Sequence, residues 1–256
     1  MKIFDAHAHY DDDAFNEDRE IVLSELEENG VTGVLNCGSS YEGALASVEF
    51  SKKYPFFYAA VGIHPEHANQ FTEKTIEDLR KLAGFHKVKA IGEIGLDYYY
   101  EENPHREIQL KVFREQMKLA QELKLPVIIH DRDAHEDTLK VIKEFPEVIG
   151  EVHCFSGSAE LAKQCVSLGY YIGITGVVTF KNAKKVLKVV EEIPLERLIV
   201  ETDCPYMAPV PYRGKRNRSE YIVKIIEKIS EIKGYPEDIT ANAVFSNIRN
   251  LLGINL

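Results

Sequence analysis

The chain has 256 residues, of which 45% are hydrophobic and 28% are charged. This ordinary globular composition excludes a disordered chain and a low-complexity fibre. The formal net charge of −10 argues against a protein whose whole surface binds nucleic acid, although bound cations can reverse the electrostatic field at a local site.

The chain shows no signal for a membrane or for export. No segment approaches the ~20 consecutive apolar residues that a membrane span needs. The segment Met1–Asp5 leads straight to two histidines and lacks the basic and apolar regions of a signal peptide. We therefore expect a cytoplasmic protein with no membrane contact and no obligate protein partner. Its four cysteines form no C-x-x-C pair, so we expect reduced thiols at Cys37, Cys154, Cys165 and Cys204.

Eight short apolar segments, rich in β-branched or aromatic residues, predict β-strands. They are Lys2–Asp5, Gly33–Asn36, Phe57–Gly62, Val88–Gly92, Val127–His130, Val148–His153, Tyr170–Gly173 and Leu198–Val200. Helical patterns lie between them. One runs from His105 to Lys124 after a first-turn Pro104, and a later one carries an isoleucine stripe from Ile222 to Ile232.

Eight strands that alternate with helices are the number needed for a closed (β/α)8 TIM-type barrel. We expect a single barrel domain over residues 1–256, because barrels of roughly 250 residues are commonly one domain. The alternative is an open doubly wound sheet. That fold more often has a glycine-rich loop after its first strand, whereas this strand ends in Asp5-Ala6-His7-Ala8-His9.

Histidines and carboxylates stand at the carboxyl ends of five predicted strands. His7 and His9 are two residues apart, so strand alternation places both on one face. Four further residues follow apolar strands, namely Glu93, His130, His153 and Asp203. Polar residues at this end of a barrel indicate function, because the interior below them is packed with apolar side chains.

This set of four histidines and two carboxylates suits Zn²⁺, Mn²⁺ or Fe, and Mg²⁺ less well. Six ligands exceed what one catalytic ion needs, but they suffice for two ions about 3.5–4 Å apart if a carboxylate bridges them. Glu93 is the best candidate for the bridge, because Gly92 and Gly95 leave room beside it. We expect Asp5 to orient one of the histidine rings, and Cys154 and Cys204 to be packing thiols turned away from the ligands.

The sequence resembles the TatD family of metal-dependent hydrolases through six motifs, in the order and spacing of that family. The motifs are Phe4-Asp5-Ala6-His7-Ala8-His9, Val61-Gly62-Ile63-His64-Pro65, Gly92-Glu93-Ile94-Gly95-Leu96-Asp97-Tyr98, Pro126-Val127-Ile128-Ile129-His130, His153-Cys154-Phe155-Ser156-Gly157 and Glu201-Thr202-Asp203-Cys204-Pro205. The resemblance implies a TIM-type barrel, two divalent ions (Zn, Mn or Mg) and hydrolysis, often of DNA from a 3′ end. It implies that His7, His9, Glu93 and Asp203 hold one ion, and that Glu93, His130 and His153 hold the other.

Two positions depart from the family pattern. Tyr10 stands where an aliphatic residue is more common, and the segment Arg216–Glu220 lacks a proline often found just after its asparagine. Neither departure involves a predicted ligand. The second one bears on substrate contacts more than on the chemistry.

Several further residues have a functional and a structural interpretation. His64 could contact the scissile phosphate or simply be held by the Pro65 turn, and the resemblance favours the contact. Arg213, Lys215, Arg216 and Arg218 form a basic loop that either binds phosphates or is a solvated turn. The aromatic segment Tyr98–Tyr100 could stack bases or pack.

The ligand pattern predicts a metal-dependent hydrolase, and the resemblance implies a deoxyribonuclease that acts on single strands or 3′ ends. Asp203, Glu93 and His64 are the predicted catalytic residues, and His64, Arg213 and Lys215 are the predicted substrate contacts. One alternative is an ester hydrolase such as a D-aminoacyl-tRNA deacylase, since activated water serves both reactions. Another is a non-catalytic, metal-containing binding module.

Overall fold

Eight parallel strands and nine α-helices alternate along residues 1–254, which the computed structural model describes. The strands are β1 (Ile3–Ala8), β2 (Val31–Cys37), β3 (Phe57–Val61), β4 (Val88–Asp97), β5 (Val127–Arg132), β6 (Gly150–Val152), β7 (Tyr171–Ile174) and β8 (Leu198–Val200). The helices are α1 (Arg19–Glu25), α2 (Tyr41–Lys53), α3 (Glu73–Ala83), α4 (Arg106–Leu123), α5 (His135–Glu144), α6 (Ala159–Ser167), α7 (Lys184–Glu192), α8 (Ile222–Lys233) and α9 (Glu237–Leu252).

Each strand pairs in parallel with the next one along the chain, in the order β1 to β8. The ring is completed by a parallel bridge between Ala8 and Cys204, just beyond β8. The Asp203 N–H donates to the His7 carbonyl at 2.9 Å, and the His9 N–H donates to the Cys204 carbonyl at 2.9 Å. The predicted TIM-type barrel is therefore confirmed, and the open doubly wound alternative is wrong.

Strands β4 and β5 run further than the sequence predicts, to Asp97 and Arg132 instead of Gly92 and His130. The two strands approach closely here, because a Cβ on Gly95 would overlap the His130 carbonyl oxygen. Gly95 also has a φ of +142°, which other residues rarely adopt. Glu93 and His130 consequently lie within their strands and do not follow them.

The barrel interior contains an apolar cluster, which α9 covers at the amino ends of the strands. Phe4, Leu35 and Ile128 form one buried cluster with Phe245 and Ile248 of that helix. The sequence predicts eight strand–helix units, and α9 is a ninth helix beyond that number. Because α9 covers this end of the barrel, solvent reaches the interior from the carboxyl ends.

The two helices predicted in detail are present. α4 ends at Leu123 because Lys124 adopts a left-handed conformation, with a φ of 56°. The isoleucine stripe of α8 is buried at Ile222, Ile225 and Ile229. Within residues 1–254, no helix is long and apolar enough to cross a membrane. All four cysteines are free thiols.

Shortening a buried side chain of α9 tests its role as the cover of the barrel. We expect Ile248→Ala to lower the free energy of unfolding by about 2–5 kcal/mol, because Ile248 is 1% exposed and its loss leaves a cavity. Denaturant unfolding measures this change. Ile239→Ala is the control on the same helix, since Ile239 is 48% exposed and should change stability by no more than about 0.5 kcal/mol. Equal effects of the two changes would contradict the assignment.

Candidate metal centre

The carboxyl ends of the strands bring the six predicted ligands together. The side chains converge from five strands and their following residues: His7 in β1, His9 just after it, Glu93 in β4, His130 in β5, His153 after β6, and Asp203 three residues after β8. Glu93 lies at the middle of this cluster and is 3% exposed.

One oxygen of Glu93 faces the histidines of the first strand. Its Oε2 lies 3.3 Å from His7 Nε2 and 3.5 Å from His9 Nε2. Asp203 completes this group, with its Oδ1 at 3.3 Å from His9 Nε2 and 3.8 Å from His7 Nε2. The two histidine nitrogens are themselves only 3.0 Å apart.

The other oxygen of Glu93 faces a different pair of histidines. Its Oε1 lies 2.9 Å from His130 Nδ1 and 3.4 Å from His153 Nε2. The two carboxylate oxygens thus face the two groups of residues that the family resemblance implies. That these side chains hold ions stays a prediction.

Hydrogen bonds on the outer side of three rings set which nitrogen carries a proton. His9 Nδ1 donates to the Cys37 carbonyl at 2.9 Å, because that carbonyl can only accept. His130 Nε2 donates to Asp97 Oδ2 at 3.1 Å, and His153 Nδ1 donates to Glu201 Oε2 at 3.1 Å. The nitrogens that face Glu93 and Asp203 therefore carry lone pairs when the rings are neutral. Outer partners of this kind are usual for metal-binding histidines.

Lone pairs of histidine and carboxylate converge on the same small volume, which is unfavourable unless a positive charge lies between them. Burial would raise the pKa of Glu93, but the surrounding histidines, chiefly His7 and His153, hold it well below its usual value. Burial would also raise the pKa of Asp203, but a hydrogen bond from Nε2 of His9 in its protonated form lowers it. Both carboxylates are thus ionised near neutral pH, and the imidazole and carboxylate set fits a divalent cation.

Sequence reasoning did not assign the outer partners Asp97 and Glu201, although both stand in the motifs that carry the family resemblance. Glu201 is fully buried and also accepts a hydrogen bond from the Cys154 N–H at 2.6 Å. Gly173 in β7 makes room for it, because a Cβ there would lie 2.5 Å from Glu201 Oε1. The signal that could have identified Glu201 is its position directly after the apolar strand β8.

Asp5 does not orient a histidine ring, so that prediction is wrong. Its Oδ1 accepts from the Thr202 N–H at 2.9 Å and the His7 N–H at 3.3 Å. Its Oδ2 accepts from the Thr202 hydroxyl and the Ser219 hydroxyl, each at 2.6 Å. Because side chains alternate between the two faces of β1, the Asp5 side chain points toward the segment after β8. Asp5 therefore links the strand that carries His7 to the segment that carries Asp203.

The two departures from the family pattern contact each other. Tyr10 is fully buried, and its hydroxyl lies 2.7 Å from Ser219 Oγ in the segment Arg216–Glu220. The Ser219 N–H also donates to that hydroxyl, at 3.1 Å. Because Ser219 donates to Asp5, the pair extends the hydrogen-bond network that supports the first and last strands.

The two cysteines that follow predicted ligands differ in their surroundings. Cys204 is fully buried, as expected for a packing thiol. Cys154 instead lines a cavity beside Asp203, so its expected orientation away from the ligands is wrong. β6 ends at Val152 and Cys154 has a φ of 44°, so strand alternation does not extend to it.

His64 is placed to donate a hydrogen bond into the centre. Its Nδ1 accepts from the Glu66 N–H at 3.2 Å, so Nε2 carries the proton and faces Glu93 Oε1 at 3.8 Å. Burial and the nearby His130 lower its pKa to about 3, so the ring is neutral at physiological pH. A protonated Nε2 is a donor and not a metal ligand.

Two cavities open onto the centre from different sides. The larger has a volume of about 560 Å³ and the smaller about 440 Å³, within the range of ligand pockets. Both are lined by the same five residues at the point where they meet: His130, Arg132, His153, Asp203 and Met207. The two cavities therefore adjoin at the predicted metal ligands His130, His153 and Asp203.

The predicted basic loop is not among the residues that line either cavity. The Arg213 guanidinium stacks on the Phe180 ring at 4.3 Å. Arg216 forms two hydrogen bonds with Asp18, at 2.6 and 2.8 Å, and Arg218 contacts Glu25 at 2.9 Å. The ion pairs with Asp18 and Glu25 account for the orientation of Arg216 and Arg218. Phosphate binding by Arg213 and Lys215 stays a prediction.

The tyrosine segment has two roles. Tyr98 donates its hydroxyl to Asp137 at 2.9 Å, as a packing residue would. Tyr99 and Tyr100 are about half exposed, and their rings lie 4.1 and 5.0 Å from the Arg132 guanidinium. They hold Arg132 where the two cavities meet.

A double-mutant cycle tests the hydrogen-bond network beneath the centre. Ser219→Ala removes one donor to Asp5 and one partner of Tyr10, so we expect a loss of about 1–3 kcal/mol in unfolding free energy. Tyr10→Phe should cost less, and the double variant should cost less than the sum, with a coupling of at least about 0.5 kcal/mol. Urea unfolding measures all three. Additive effects would show that the pair is not coupled, and Ser24→Ala, at an exposed hydrogen bond, is the control.

Comparison with other proteins places the chain in a family. The profile described as TatD related DNase matches residues 4–253. The uncharacterized metal-dependent hydrolase YabD of Bacillus subtilis is 41% identical over 255 residues, which are 99% of this chain and 100% of that protein. The 3′-5′ ssDNA/RNA exonuclease TatD of Escherichia fergusonii is 31% identical over 260 residues, at 99% and 100% coverage.

Solved structures agree with these matches. YjjV, a TatD homologue from Escherichia coli K12, superposes with a TM-score of 0.92 at 32% identity, covering 99% of this chain and 98% of that one. A TatD-family hydrolase from Entamoeba histolytica gives a TM-score of 0.86 at 29% identity, with 98% of both chains covered. The chain therefore belongs to the TatD family of metal-dependent hydrolases.

Proposed function

We propose that this hydrolase is a deoxyribonuclease that removes nucleotides from the 3′ end of single-stranded DNA. The observation that supports this proposal most directly is the position of Glu93. Its two carboxylate oxygens face two groups of histidine nitrogens at the place where the two cavities meet. A phosphodiester placed at this point has a strand on one side and a terminal nucleoside on the other. One relative bears the name of a 3′-5′ ssDNA/RNA exonuclease, which supports this choice of substrate.

The proposed metal site uses the two groups of ligands on either side of Glu93. His7, His9 and Asp203 would hold one ion, and His130 and His153 the other, with Glu93 shared. Two divalent ions, Zn, Mn or Mg, would polarise the phosphoryl oxygen and make the attacking water acidic enough to react near neutral pH.

Asp203 is the proposed general base. Its carboxylate is ionised, lies beside His9 at 3.3 Å, and lines both cavities, so a water at the scissile phosphate is within its reach. Asp203 also has a φ of 57°, and a non-glycine residue held in that region is typical of active sites.

His64 and Arg132 are the proposed phosphate contacts. The neutral His64 ring offers its Nε2–H toward the centre, while the Arg132 guanidinium stands at the junction of the cavities against two tyrosine rings. Donors fixed in this way stabilise the negative charge that develops on the phosphoryl oxygens.

A side-by-side assay separates this proposal from the deacylase alternative. The purified, metal-loaded protein is given a labelled single-stranded oligonucleotide and, separately, D-aminoacyl-tRNA. We expect stepwise shortening of the oligonucleotide from its 3′ end, abolished by a chelator. Cleavage of the aminoacyl ester with no action on the oligonucleotide would contradict the nuclease proposal, and no turnover of either would favour a binding module.

Asp203→Asn tests the general base, because it keeps the shape of the side chain but removes its charge. We expect the rate of oligonucleotide hydrolysis to fall by at least ~10²-fold, the usual contribution of a general base. The fold should persist, since Asp203 lies at the mouth of the barrel and outside its packed layers. Steady-state kinetics and circular dichroism measure the two effects. Near-normal turnover would remove Asp203 from the mechanism.

Glu93→Gln tests the bridge. We expect the wild-type protein to hold two ions per chain and the variant to hold fewer than two at the same free metal concentration, since the amide lacks the charge and one of the two oxygens. Elemental analysis after dialysis measures the content. His86→Ala, at an exposed histidine, should still hold two. One ion in the wild-type protein would contradict the dinuclear site, and two ions in Glu93→Gln would contradict the bridge.

A further inference from the structure

The two cavities that meet at the metal centre differ in charge. The residues that line only the larger cavity include cationic side chains, and those that line only the smaller one include carboxylates. The larger one is lined by Lys184 and Lys185. Its own carboxylate, Asp131, is already engaged by His135 at 2.8 Å. The smaller cavity has no lysine or arginine of its own in its wall, within residues 1–254. It is instead lined by four carboxylates that the larger cavity does not share, namely Asp11, Asp12, Glu66 and the predicted metal ligand Glu93.

Lys184 and Lys185 have no evident structural role. They form the first turn of α7, where the positive end of the helix dipole disfavours cations. Neither makes an ion pair within the described residues, whereas Lys188 on the same helix pairs with Glu191 and Glu192 at 3.0 Å. Their charges are thus available to a bound anion in the larger cavity.

The walls of the smaller cavity suit a nucleoside without a further phosphate. Tyr100 and Tyr206 line this cavity and are about half exposed, so their rings can stack a base. Glu66 is 64% exposed, and Asp12 is held in place by the Tyr206 hydroxyl at 2.7 Å. A carboxylate accepts a strong hydrogen bond from a sugar hydroxyl but repels a phosphate.

We infer that the smaller cavity binds the terminal nucleoside through its free 3′-hydroxyl, and that the phosphate-bearing strand leaves across the larger cavity past Lys184 and Lys185. The inference rests on the proposed nuclease function and adds the orientation of the strand. The upstream strand carries one phosphate per nucleotide, whereas the terminal nucleoside contributes none beyond the scissile one. Opposite charges on the two sides of the centre therefore favour one direction of binding over the other.

The experiment compares two single-stranded oligonucleotides of one sequence, one ending in a 3′-hydroxyl and one in a 3′-phosphate, both labelled at the 5′ end. We expect the wild-type kcat/KM to be at least about tenfold higher for the hydroxyl end. Glu66→Gln should narrow this ratio at least about threefold, by raising the rate on the phosphate end. A 5′-phosphate on the same strand should change little, because that end lies away from the smaller cavity.

The double variant Lys184→Ala/Lys185→Ala tests whether the larger cavity binds the phosphates of the strand. We expect a raised KM for both oligonucleotides, with their ratio preserved. Fluorescence anisotropy should show that the slope of log Kd against log salt falls by about 0.7 for each phosphate that the variant no longer neutralises. Lys224→Ala/Lys228→Ala is the matched control, because it removes two charges from ion pairs on α8 that line neither cavity. It should leave the KM, the slope and the ratio as in the wild-type protein.

Several results would overturn the inference. These are equal rates on both ends in the wild-type protein, an unchanged ratio in Glu66→Gln, or an unchanged salt slope in Lys184→Ala/Lys185→Ala. A raised KM in Arg213→Ala/Lys215→Ala, with none in the α7 variant, would assign the strand to the basic loop instead. Failure of the proposed function looks different: no oligonucleotide would be shortened at all, and bis(p-nitrophenyl) phosphate would show whether any phosphodiester is hydrolysed.

Discussion

The buried carboxylate of Asp5 is the contact on which the geometry of the site depends. It accepts four hydrogen bonds, from the backbone of His7, from the backbone and hydroxyl of Thr202, and from Ser219. These bonds join the first strand to the segment after the last one, where the bridge between Ala8 and Cys204 completes the ring of strands. Burial raises the pKa of Asp5 to about 7 although the four hydrogen bonds lower it, so these donors offset only part of the desolvation cost.

The predicted ligand cluster likewise contains buried carboxylates that need compensating partners. Glu93, buried among histidines, would be unfavourable unless cationic charge surrounded it. The outer hydrogen bonds of His9, His130 and His153 orient their lone pairs toward it, so the charge that completes the cluster must come from a bound cation or from protons. This arrangement is consistent with the metal dependence of the family to which the chain belongs. The opposite charges of the two adjoining cavities then favour one direction of strand binding across this centre.

Much of this was predictable from local pattern. Short β-branched segments separated by amphipathic helices predicted the (β/α)8 barrel, because strand and helix periodicities are properties of a few neighbouring residues. Histidines and carboxylates at the ends of apolar strands, such as His7 and Asp203, predicted a common site, because parallel strands deliver their carboxyl ends to one face. The motifs around these residues were sufficient to identify the family.

The sequence by itself therefore determined the architecture, the family and the set of side chains that meet at the centre. Only the tertiary structure decided which partners each side chain meets. The extension of β4 to Asp97 depends on the approach of β5, the turning of Asp5 away from the rings depends on Thr202, and the contact of Tyr10 with Ser219 joins residues 209 positions apart. Likewise, acidic partners distant in sequence engage Arg216 and Arg218, while Lys184 comes to the cavity wall. Local periodicity carries no information on such contacts, because they arise only when the ring of strands closes.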